Sequence, residues 1–201
     1  MNMREIREAA RGPMKNFCKL CPVCDGRACA GQVPGIGGTI TGSSFQANYE
    51  ALRDTRILMR VIHGASDPST EFTLFGKTYR TPILAAPMTG AEYNCGQGLT
   101  EADFVMAFVQ RAEAAGSLGW IGDAANLALF EAGLAAARAS QKGVVAIIKP
   151  RDELSEIVLR FRAAEEAGAV ALGVDLDGAG MITMQPQGQP VGPESLAQLK
   201  T

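Results

Sequence analysis

The sequence predicts a parallel α/β fold, the N-terminal half of a (β/α)8 barrel preceded by a short helix and a cysteine-rich loop. In Phe72–Gly90 (FTLFGKTYRTPILAAPMTG), the apolar run Ile83–Ala86 stops at Pro87-Met88-Thr89-Gly90. A run that apolar suits a strand buried on both faces. Pro87 has no N–H to give a ladder, so the strand ends there. Strand and helix patterns then alternate at spacings of roughly 26–35 residues, as parallel architectures require. A doubly wound dinucleotide fold would place G-x-G-x-x-G after the first strand, but that position reads PMTGAEYNCG. The barrel is therefore favoured over the doubly wound sheet.

The elements are expected as follows. Residues 3–15 alternate like a short amphipathic helix. Residues 16–31 hold the cysteines, and 31–44 (GQVPGIGGTITGSS) form a Gly/Ser-rich loop. Ser43 or Ser44 can cap a helix running to about Arg56, with Phe45, Tyr49 and Leu52 on one stripe. Leu58–Ile62 and Glu71–Leu74 suit short strands, and Gly76 suits a tight turn into Lys77–Arg80. Strand Ile83–Ala86 leads to helix Thr100–Ala115, where Thr100 and Asp103 fit a capping box. Strand Leu118–Ile121 leads to helix Ala124–Ala139. Strand Val144–Ile148 leads to helix Asp152–Ala167, closed by Gly168. Strand Val170–Val174 follows, and Pro193 suits the first turn of another helix. The expected organisation is 1–44 as an N-terminal segment and 45–201 as the first part of the barrel. A complete barrel needs about 250 residues, so four units in 201 residues are expected to be a fragment.

Composition sets the class. The chain is 47% hydrophobic and 20% charged with a formal net charge of −2. That balance offers no electrostatic case for nucleic acid or an anionic membrane surface. No apolar run reaches the roughly 20 residues of a membrane span, and MNMREIREAARG lacks the apolar region of a signal peptide. A cytoplasmic setting is expected.

Cys18, Cys21, Cys24 and Cys29 follow C-x2-C-x2-C-x4-C. Short spacers let thiolates turn onto one ion, so zinc or an iron–sulfur cluster is expected, in a structural role. The spacing departs from the ferredoxin run, and free or disulfide-paired cysteines remain the alternative. Cys95 can line a pocket or fill a core.

The C-terminal ends of barrel strands carry the chemistry, which marks the segment after Ala86, Lys149 and Asp175 as candidates. Lys149 and Asp175 end adjacent strands. Lys149 can pair with Asp175 or Asp177 to close the barrel mouth, or it can bring positive charge to a ligand. His63, the only histidine, precedes the first barrel strand and is expected to be structural.

Residues 48–177 as a set resemble the FMN-dependent α-hydroxy-acid oxidising enzymes, the glycolate and lactate oxidase group. The shared features are Arg56 and Leu58, Asp67-Pro-Ser-Thr70, Leu74-Phe-Gly76, Pro82-Ile-Leu-Ala-Ala-Pro87, and DELSEIVLRFRAAEEAGAVALGVDLD. The resemblance implies a flavin-bearing barrel, with Ala86, Pro87, Met88 and Thr89 against the isoalloxazine ring. It also implies Gly122, Asp123, Lys149 and Asp175 at the same cofactor. It implies oxidation of a small α-hydroxy acid in the intact enzyme, a homo-oligomer when full length, and no turnover by this chain alone. No catalytic residue is assigned within the chain, because the family's catalytic His and Arg lie in an S-N-H-G-G-R segment that these residues do not contain. The family's third strand carries Gln and Tyr, where this chain has GVVAIIKP, and its fourth reads T-V-D, where this chain has Gly173-Val174-Asp175. Two alternatives stay open: a flavin-dependent isomerase of the type 2 isopentenyl diphosphate isomerase kind, and a non-catalytic metal-binding barrel fragment.

Overall fold

The computed structural model describes residues 2–32, 38, 40–94, 96, 98–180, 184 and 190–199. They pack as two compact units, Met1–Pro68 with Ala91–Thr100, and Ser69–Gly90 with Glu101–Thr201.

In the first unit, helix α1 (Met3–Ala10) is closed by a capping box in which Asn2 accepts from Arg4 and Glu5 N–H and the Glu5 carboxylate accepts from Asn2 N–H. The amphipathic pattern to residue 15 ends earlier, because residues 11–17 are turns. Helix α2 spans Ser43–Asp54, and its N-cap is Gly42 at φ 64°, so neither serine caps it. The expected boundary at 44/45 falls inside this unit for a packing reason. Phe45 lies on Gly26, where a Cβ would come within 2.4 Å of its ring, and Arg27 pairs with Glu50 at 3.0 Å. Helix α3 (Ala91–Asn94) completes the unit. Leu58–Ile62 forms no strand. It finds no ladder partner among the described residues, and its apolar side chains are exposed. Cys95 lies outside the described residues.

The second unit opens with a hairpin, β1 (Phe72–Leu74) and β2 (Lys77–Tyr79), paired antiparallel. Phe75 (φ 50°) and Gly76 (φ 73°) supply the two left-handed positions of a tight turn. Three strand–helix pairs follow: α4 (Glu101–Ala114), β3 (Gly119–Gly122), α5 (Leu127–Ala139), β4 (Val144–Ile148), α6 (Leu154–Glu166) and β5 (Ala169–Val174). The strands form one parallel sheet in the order β3-β4-β5. Asn126 caps α5, and Gly168 (φ 95°) ends α6 as a left-handed C-terminal residue. A short 3-10 turn (Leu176–Gly180) follows β5, and α7 is Pro193–Gln198 with Pro in its first turn.

Strand periodicity sorts the core. Ile121, Val144, Ala146 and Ile148 pack with Val105 and Val109 of α4, Phe130 and Leu134 of α5, and Ile157 of α6. Alternate residues Leu118, Trp120, Val145 and Ile147 face the other way and meet Tyr79, Phe72 and Leu74 of the hairpin. Burying each large aliphatic side chain contributes about 1.5–3 kcal/mol. The sheet is thus covered by helices on one face and plugged by the hairpin on the other. No described helix is long and apolar enough to cross a membrane.

A further expectation fails at the first barrel strand. Ile83–Ala86 is not a strand, and Ile83 is 76% exposed. The segment nevertheless runs beside β3 in the same direction. Ser117 Oγ donates to Ile83 O at 2.6 Å before β3, and Thr89 Oγ1 donates to Asp123 O at 3.1 Å after it, each across 34 residues. Side-chain hydrogen bonds at its two ends hold it there.

Candidate active-site edge

The C-terminal edge of the sheet gathers residues far apart in sequence. Asp123 directly follows β3 and is only 1% exposed. Its Oδ1 accepts from Ala124 N–H at 2.8 Å, and its Oδ2 from Lys149 N–H at 3.2 Å. Arg151 Nη2 donates to the same Oδ2 at 2.7 Å and to Ala124 O at 2.7 Å. Arg160 Nε of α6 lies 3.4 Å away as a further ionic partner. A buried carboxylate needs such partners.

The loop after residue 86 is tied to the same edge. Thr89 bonds to the Asp123 carbonyl, and the buried Glu101 carboxylate at the start of α4 accepts the Gly90 N–H at 3.0 and 3.1 Å. Gly122 permits this approach, since a Cβ there would stand 3.0 Å from Thr89 Oγ1.

Lys149 and Asp175, at the ends of β4 and β5, form a direct ion pair. Gly178 lets the lysine lie flat, because a Cβ there would sit 3.0 Å from Lys149 Cδ. Burial pushes the Asp175 carboxyl up, but hydrogen bonds with Asp177 and Lys149, the Lys149 charge and the Gly178 N–H outweigh it, and Asp175 lies below the ordinary carboxylate range. Asp177 is shifted the other way, raised first by its hydrogen bond to Asp175, then by that residue's charge and by burial. The two aspartates are thus shifted in opposite directions beside a lysine.

The structure brings Thr89, Gly122, Asp123, Lys149 and Asp175 to one edge, with Pro87 and Met88 on the loop that Thr89 anchors. It assigns the Asp123 side chain an internal task, since both its oxygens face protein donors. Arg151, Arg160, Glu101 and Asp177 complete the site. An Arg just after a strand-ending Lys-Pro, with an Asp ending the preceding strand, is the signal that would have found Arg151.

Cys18, Cys21, Cys24 and Cys29 do not form the expected ligand set. Among the described residues no group of three or more His, Cys, Asp or Glu side chains is placed to hold a metal ion, and the four thiols are free. Cys29 is buried, and burial followed by the nearby Cys24, Cys18 and Cys21 pushes its thiol up, against a lowering by Lys19. Sγ of Cys18 instead accepts Leu20 N–H at 3.4 Å. His63 is exposed, in the first unit, and accepts Ala65 N–H at Nδ1.

A parallel sheet wound in sequence order, with a charged and glycine-floored C-terminal edge, defines an α/β protein of the kind that binds ligands beyond its strand ends. Residues 36–189 match the family model described as FMN-dependent dehydrogenase, more than half of the chain. The chain belongs to that family, and with it to the flavin-dependent oxidoreductases. No curated protein and no solved structure gives a match.

The edge fits a flavin ring on its own chemistry. Met88 and Leu176, 43% and 54% exposed, offer apolar surface for a flat ring. Pro87 adds a backbone position without a donor, and Lys149 offers a cation whose side chain keeps 17% of its surface exposed.

Proposed function

We propose that this chain supplies the flavin-facing edge of an FMN-dependent enzyme that oxidises a small α-hydroxy acid. The observation that carries this is the convergence of Thr89, Asp123, Lys149 and Asp175 on one end of a parallel sheet. Sequential winding, with α4 against α5 and α5 against α6 over the same sheet face, supports four staves of a (β/α)8 barrel, Ile83–Thr89 taking the place of the first. FMN, when bound, supplies the two-electron acceptor for the substrate's α-carbon hydrogen.

The chain's own residues bind and orient. Ala86, Pro87, Met88 and Thr89 form the wall against the ring, with Gly122 keeping the wall close to β3. Lys149 brings positive charge to the ring, and Asp175 fixes the ammonium and offsets part of its charge. Asp177, its carboxyl pushed up by its hydrogen bond to Asp175, stands next to that pair. The Asp123 carboxylate holds the strand ends in place.

Flavin-fluorescence titration of the wild type and of Lys149→Met tests this. Saturable binding by the wild type, weakened about tenfold or more by the substitution, is the expected result for a charge facing the cofactor. Equal affinities would remove Lys149 from the site.

A further inference from the structure

The buried Arg151 and the half-buried Arg160 at this edge have no part in the function proposed above. Arg151 is 3% exposed and Asp123 1%. A buried ion pair of this kind is a poor source of net stability, because desolvation of both charges offsets their attraction. Its distinctive property is what else it holds. The Asp123 carboxylate receives the Lys149 N–H, and the Asp123 carbonyl receives the Thr89 hydroxyl. Arg151 fixes the rotamer of that carboxylate and, through Ala124 O, the backbone that follows it. Three loops leaving the edge are thereby registered on one residue.

We propose that Asp123 and Arg151 are positioning residues that set the height of Lys149 and Thr89 at the sheet edge, so that the Lys149 ammonium meets Asp175 and faces the ligand. This rests on the flavin assignment for the ligand, but not for the placement of Lys149. Without Arg151, the one cationic partner that Asp123 keeps among the described residues is the more distant Arg160, at 3.4 Å. The carboxylate can then turn away from Lys149 N–H, and the strand end loses its anchor.

The test uses the whole chain and two readouts. Competitive acylation followed by mass spectrometry reports the reactivity of the Lys149 amine without any flavin, and flavin-fluorescence titration reports FMN affinity. In folded Arg151→Met, Lys149 is expected to acylate several-fold faster as it leaves Asp175, and FMN binding is expected to weaken by about tenfold to a hundredfold, the range a small misplacement costs. Arg151→Lys, which keeps the buried charge but not the planar fork, is expected to shift both in the same direction by less. A folded Arg151→Met with lower melting temperature but wild-type Lys149 reactivity would mean that the pair is only structural, and would overturn the proposal. Should Arg151→Met fail to fold, Arg151→Lys decides by the same readouts: a shift in Lys149 reactivity supports positioning, and none overturns it. Altered Lys149 reactivity with no FMN binding by the wild type would sink the flavin assignment and leave the positioning role supported.

Discussion

The cysteine segment and the sheet edge show opposite relations between sequence spacing and spatial arrangement. Cys18, Cys21, Cys24 and Cys29 lie within a dozen positions, yet their sulfurs form no ligand group among the described residues. Thr89, Asp123, Lys149 and Asp175 are spread over more than eighty positions and meet through hydrogen bonds and an ion pair. The difference follows from what fixes each set. A parallel sheet brings every strand's C-terminal end to one side regardless of chain separation. A turn-rich segment brings Cys24, Cys18 and Cys21 near enough to add to the push that burial gives the Cys29 thiol. Positive φ at Asn16 and Leu20 aims its backbone by local turns, however, and no ligand group forms among the described residues.

Five experiments can break or sharpen that contrast. The largest effect is expected from Asp123→Ala, which leaves Arg151 and Arg160 without their buried counter-charge. The expected cost is about 3–5 kcal/mol, read by urea unfolding through the fluorescence of Trp120. A loss below about 1 kcal/mol would show that the network is slack. Thr89→Val removes one hydrogen bond to the Asp123 carbonyl, and a loss of about 1 kcal/mol is expected in the same assay.

The third experiment follows the aspartates by carboxyl-carbon NMR. Asp175, lowered in the folded protein, contributes stability that is present above the ordinary carboxylate pKa and is lost as pH falls through its folded midpoint. Asp177, raised, contributes stability that is present below the ordinary value and is lost as pH rises through its folded midpoint. Asp175 is therefore expected to titrate below Asp177, and Lys149→Met to move Asp175 upward. Coincident midpoints would dissolve the pair.

The smallest effects belong to the cysteines. Cys24→Ser at an exposed position is expected to change stability by less than about 0.5 kcal/mol. Alkylation mapped by mass spectrometry should modify Cys24 first, Cys18 and Cys21 next, and the buried Cys29 last. Joint protection of all four thiols, released by a chelator, would restore the metal site and erase the contrast.

Much of the second unit was legible in the sequence because its signals are local. Gly76 in the hairpin turn, Gly168 after α6 and Pro193 at the start of α7 each sit where backbone preferences place them. Apolar runs without polar interruption marked β3, β4 and β5. The same signal misled at Ile83–Ala86, because an apolar run becomes a strand only when a ladder partner is present. Leu58–Ile62 failed for the same reason. Within the site, Lys149 and Asp175 were readable as residues ending adjacent strands. Arg160 was not, since its meaning depends on an aspartate far earlier in the chain that only the folded sheet brings to it. The cysteine spacing was the clearest local motif and the poorest guide to geometry.

The central claim is that the C-terminal edge of the sheet is the FMN-facing surface. Two-dimensional NMR of the labelled chain with increasing FMN tests it most directly. Saturable shifts concentrated at Ala86, Met88, Thr89, Gly122, Lys149 and Asp175, with the cysteine segment unmoved, are the result this structure predicts. Saturable shifts elsewhere, with the edge residues unchanged, would contradict it.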